Sequence, residues 1–80
     1  MSTVYRVAEV VSPDLVRIVR ADRTGSEVAL WSRRRLRKAT RCAVMDVTLA
    51  AGEFAYGPVG NQRYRYERIS ARALPTLDAR

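Results

Sequence analysis

Val4-Tyr5-Arg6-Val7-Ala8-Glu9-Val10-Val11, then Ser12-Pro13-Asp14, then Leu15-Val16-Arg17-Ile18-Val19-Arg20 is the stretch that decides the fold. Two runs rich in β-branched residues flank a turn in which Pro presets φ, the pattern of two strands joined tightly. Asp22-Arg23-Thr24-Gly25 closes the second run, with a Gly free to take φ > 0 at the last turn position, and Ser26-Glu27-Val28-Ala29-Leu30-Trp31 reads as a third strand. Three strands with short connections make an antiparallel sheet, marginal alone and in need of further elements to cover a face.

Outward from that sheet the chain becomes basic. Ser32 is a reasonable N-cap for Arg33-Arg34-Arg35-Leu36-Arg37-Lys38-Ala39, so a short basic helical segment near residues 32–40 is expected. Three arginines in its first turn would oppose the positive end of the helix dipole, which makes an extended basic strand the competitor. Farther on, Cys42-Ala43-Val44-Met45 is a candidate strand. Leu49-Ala50-Ala51-Gly52-Glu53 is a turn feeding Phe54-Ala55-Tyr56, and Gly60-Asn61 is a turn signal. Arg63-Tyr64-Arg65-Tyr66-Glu67-Arg68 alternates as a strand would, with Tyr64 and Tyr66 on one face. Ser70 can cap a last helical turn, Ala71 to Leu74, stopped by Pro75.

The fold class expected is mostly β, with α+β as the nearest variant. The arrangement is a small antiparallel meander or half-open barrel, with a short basic helical segment and a short C-terminal helical turn. One domain spans residues 1–74 and a frayed tail covers 75–80. The core candidates are Val4, Val7, Val10, Val16, Ile18, Val28, Leu30, Leu36, Val44, Leu49, Phe54, Tyr56, Val59 and Ile69.

What the 80 residues omit restricts the chemistry. The chain has no His and one Cys, Cys42, so neither an internal disulfide nor a Cys/His zinc site can form in one copy. Serine and cysteine nucleophile systems that depend on His are excluded with them. The acids lie at least four positions apart and no Gly-rich phosphate loop exists, so no catalytic residue, metal or cofactor is expected. Cys42 reads as a small buried hydrophobe. The lone thiol suits a reducing compartment, and neither a membrane span nor a signal peptide is visible; a cytoplasmic location is expected.

The fifteen basic residues against eight acids give a net charge of +7, unevenly placed. Residues 1–32 are neutral overall, and residues 33–41 carry six cations and no acid. Arg63, Arg65 and Arg68 add a second basic segment, interleaved with Tyr64 and Tyr66. Arginine makes planar bidentate contacts to phosphate and stacks on bases.

Arg41-Cys42, Ala51-Gly52-Glu53-Phe54-Ala55-Tyr56-Gly57-Pro58, Asn61 and Arg68-Ile69-Ser70 together resemble a pattern in small phage and prophage proteins. There a Cys knuckle precedes a Pro-Gly-Glu turn, an aromatic strand and an Asn turn. The resemblance spans residues 41–74 and implies origin in a mobile element. Two departures are plain: the second knuckle Cys is absent, and Ala51 replaces the Pro.

The function expected is therefore non-enzymatic nucleic-acid binding by a small basic phage or mobile-element protein. Arg33, Arg34, Arg35, Arg37, Lys38 and Arg41 would grip phosphates, helped by Arg63, Tyr64, Arg65, Tyr66 and Arg68. The rival is a phage-encoded inhibitor, for example an anti-CRISPR, docking the same residues on an acidic or nucleic-acid-binding protein surface of a host complex. A homodimer would form more readily through the near-neutral first strand than through the basic segment.

Overall fold

The computed structural model describes residues 3–60 and 63–77. The chain runs through β1 (Val4–Ser12), β2 (Leu15–Asp22), β3 (Gly25–Arg35), β4 (Thr40–Arg41), β5 (Thr48–Leu49), β6 (Phe54–Pro58) and β7 (Ile69–Ser70), then a 3-10 helix, Ala71–Leu77. Five strands form one antiparallel sheet in the order β1-β2-β3-β6-β7, and β4 pairs with β5 apart from it. The 3-10 helix leaves the β7 edge and packs on β1, bridging the two edges of a half-barrel. The mostly-β expectation and its half-open barrel are thus met.

Local chemistry explains the first two hairpins. Ser12 Oγ accepts from the Asp14 backbone N–H at 3.3 Å in the Pro13-Asp14 turn. Asp22 Oδ1 accepts from the Thr24 N–H at 2.9 Å and from the Thr24 hydroxyl at 2.6 Å. Gly25 follows at φ 135°, a conformation that other residues rarely take.

The basic block is not helical. β3 continues past Trp31, and Arg33, Arg34 and Arg35 pair with Tyr56, Ala55 and Phe54 of β6. As a strand this segment satisfies its backbone in the ladder and spreads its arginines along it. A helix would stack them at its positive end. The Arg33 and Arg35 guanidiniums rest on the Phe54 ring, 5.0 and 5.1 Å from its centroid. Phe54 is therefore a half-exposed platform and not a core residue.

Two further expectations fail. Residues 63–66 form bends and a turn instead of a strand. Cys42 to Met45 bend as well, because Cys42 Sγ accepts from the backbone N–H groups of Met45 and Ser70, each at 3.3 Å. At the C-terminus Ser70 Oγ caps the helix by accepting from the Arg72 N–H at 3.1 Å, as expected. The helix then continues through Pro75, whose fixed φ suits the tighter turn, and Leu77 packs against the core. Gly60 takes φ 73°; Asn61 and the tail beyond Leu77 lie outside the described residues.

Trp31 organises the core. It is fully buried, meets the Tyr5 ring edge-on at 6.0 Å and stacks on Tyr64 at 6.0 Å. Val7, Val16, Ile18, Leu36, Leu49, Tyr56 and Ile69 are buried as expected, and Tyr5, Cys42, Ala55, Tyr64 and Ala73 join them. Val4, Val10, Val28 and Val59 are exposed. Tyr5 and Val7 take the inward phase of β1, which turns Val4 outward, and Val28 lies opposite Val19 on the outer face of the sheet. No helix among the described residues is long and apolar enough to cross a membrane.

Candidate functional site

Leu36 is the one large apolar side chain in the basic run, and it sets the geometry of the site. Its side chain is buried, its N–H donates to the Glu53 carbonyl at 2.8 Å, and its carbonyl accepts from the Gly52 N–H at 2.9 Å. With Leu36 held down, Arg34, Arg35, Arg37 and Lys38 remain outside. They line a groove of about 840 Å³ together with Leu36, Thr40, Tyr66 and Arg68. The two segments singled out in the sequence, far apart along the chain, thus meet on one concavity.

The far wall is fixed from beneath. Glu67 accepts from Arg20 Nε at 3.0 Å, from Arg20 Nη2 at 2.9 Å and from the Tyr5 hydroxyl at 2.7 Å. Burial, then the bond to Glu67, pushes the Tyr5 hydroxyl pKa up, and the bond to Glu67 raises that of Arg20. The Arg20 guanidinium also covers the Tyr64 ring, 4.5 Å from its centroid. Arg68 Nη1 donates to the carbonyls of Arg65 at 2.8 Å and Glu67 at 2.7 Å. Its guanidinium lies so close over Gly57 that a Cβ there would come within 3.0 Å of Nη1.

Charge pairing separates the cations into two groups. Each described carboxylate, Glu9, Asp14, Asp22, Glu27, Asp46, Glu53 and Glu67, forms an ion pair with an arginine. This occupies Arg33 with Asp14 at 2.6 Å, Arg41 with Asp46, and Arg63 with Glu27 at 3.3 Å. These three belong to the sequence-derived candidates but do not line the groove. Among the described residues, Arg34, Arg35, Arg37, Lys38 and Arg68 make no ion pair, and no carboxylate lines their groove.

The two tyrosines part company. Tyr64 is buried against Trp31 and is removed from the contact surface, whereas Tyr66 is 76% exposed. The Arg65 guanidinium lies 4.8 Å from the Tyr66 ring centroid, and its Nη2 donates to the Tyr66 hydroxyl at 2.8 Å. Alternation implied equivalent positions; the turn in which the Glu67 N–H donates to the Tyr64 carbonyl at 3.0 Å makes them opposite. Thr40 lines the groove and Gly57 lies beneath the Arg68 guanidinium, and neither was among the sequence-derived site residues. No group of three or more His, Cys, Asp or Glu among the described residues could hold a metal ion. Comparison of the chain with protein-family models, curated proteins and solved structures finds no match.

Proposed function

We propose that this chain is a nucleic-acid-binding protein that takes a phosphate backbone into the groove between residues 34–38 and Tyr66–Arg68. The observation that carries this reading is the concentration of five cations that, among the described residues, have no ion-pair partner and share one concave surface lined by no described acid, while the described carboxylates pair with other arginines. Four of the five are arginines, whose planar donors fit phosphate oxygens bidentately. In this reading the protein acts by binding alone, which is supported by each described carboxylate being held in an ion pair with an arginine.

Neutralising five phosphates of a single strand corresponds to a slope of about −3.5 in log K against log salt, roughly a 100-fold loss between about 50 and 200 mM. Fluorescence anisotropy of a labelled 12-nucleotide strand across that range tests it. A steep fall supports phosphate gripping; a flat response contradicts it.

A further inference from the structure

We infer that the groove is built for single-stranded nucleic acid, with an unpaired base stacked on Tyr66. This rests on the nucleic-acid reading and adds the class of strand. Tyr5, Tyr56 and Tyr64 are 8%, 5% and 5% exposed, whereas Tyr66 is 76% exposed and still held in place. Arg65 both covers its ring and binds its hydroxyl. An aromatic ring kept at the surface and backed by a planar guanidinium is a platform for another π-face.

That platform borders the same groove as Arg34, Arg35, Arg37, Lys38 and Arg68. A basic track with an adjoining aromatic ring is what a strand with splayed bases requires, phosphates on the cations and a base on the ring. A duplex keeps its bases stacked on each other and offers no such face. Duplex readers also insert an α-helix or a β-ribbon into the major groove. Here the described residues hold no α-helix, and the basic side chains line a concavity instead of a protrusion.

The full chain is titrated against a labelled mixed-sequence 12-mer as single-stranded DNA, as single-stranded RNA and as a DNA duplex, with wild type, Tyr66→Ala and Tyr66→Phe. Loss of one base stack predicts that Tyr66→Ala weakens single-strand binding roughly 5- to 150-fold and weakens duplex binding by a clearly smaller factor, and that Tyr66→Phe stays close to wild type. Single strands bind at least tenfold more tightly than the duplex. Equal affinity for duplex and strand, or Tyr66→Ala within twofold of wild type on the strand, overturns this inference and leaves the phosphate-binding reading intact. Absence of binding to every probe at low salt overturns both. Tyr66→Ala is expected to melt within about 4 °C of wild type, which separates lost affinity from lost fold.

Discussion

Glu67 grips both prongs of the Arg20 guanidinium, at 3.0 and 2.9 Å, across 47 positions of the chain. The carboxylate sits between Tyr66 and Arg68, the residues that form the far wall of the groove. A bidentate pair inside the half-barrel therefore sets the position of a surface outside it, and the stability of the fold and the shape of the site are coupled through one side chain.

Glu67→Ala leaves Nε and Nη2 of the mostly buried Arg20 guanidinium and the Tyr5 hydroxyl without their acceptor, while Arg20 Nη1 keeps its pair with Asp22 at 2.7 Å. The expected cost is about 2 kcal/mol, reduced from the fully buried case because the Glu67 side chain is 26% exposed. For a chain of this size that lowers Tm by about 8–16 °C in a thermal melt followed by circular dichroism. Glu67→Gln, which keeps an acceptor, retains part of the loss.

Tyr64 and Tyr66 respond oppositely in the same melt. Tyr64→Ala removes a buried ring stacked on Trp31 and costs about 3 kcal/mol, with a red shift of Trp31 fluorescence as the indole meets water. Tyr66→Ala stays within about 0.5 kcal/mol of wild type.

This contrast shows where the sequence was legible. The three-strand meander could be read because β-branched runs and Pro- or Gly-centred turns are local signals, and each hairpin closes within a few residues. The phase of β1 could not be read from valines alone, since Val4 and Tyr5 are both apolar enough to face inward. Only the partner, Trp31, decides between them. The basic block misled because helix propensity is local, whereas the ladder with Phe54, Ala55 and Tyr56 is formed with residues about twenty positions away. The alternation at 63–68 failed for a similar reason: Arg20 and Trp31 draw Glu67 and Tyr64 inward and bend the segment. Charge position was legible as two segments, but which cations are neutralised depended on ion pairs that only tertiary structure creates.

The folded-state pKa of Asp22 is lowered to about 2, first by the Thr24 hydroxyl, then by the Thr24 N–H and Arg20. A depressed carboxyl contributes stability above its unfolded pKa and loses it as pH falls through the folded value, so the contribution disappears between about pH 4 and 2. Tyr5 has the opposite sign. Its raised pKa contributes fully below the unfolded value near 10 and is lost as pH climbs above it. Melts across pH should show both limbs, with Asp22→Asn flattening the acid one and Tyr5→Phe the alkaline one.

Gly57 has ordinary backbone angles, so alanine is conformationally acceptable there; what it displaces is the Arg68 guanidinium, 3.0 Å from the added Cβ. Gly57→Ala is expected to change stability by less than about 1 kcal/mol and to lower the salt slope of binding by about 1, the loss of one phosphate contact.

In the proposed function, position in the groove, and not total charge, sets nucleic-acid binding. The direct measurement is the salt dependence of affinity for a single-stranded 12-mer in two triple variants that remove three positive charges each. One is Arg34→Ala, Arg35→Ala and Arg37→Ala in the groove; the other is Arg17→Ala, Arg41→Ala and Arg72→Ala, whose side chains pair with Glu9, Asp46 and Glu53. The groove triple is expected to lower the slope by about 2 and the paired triple to leave it near the wild-type value. Equal losses in the two variants would contradict it, because binding would then follow net charge wherever that charge lies.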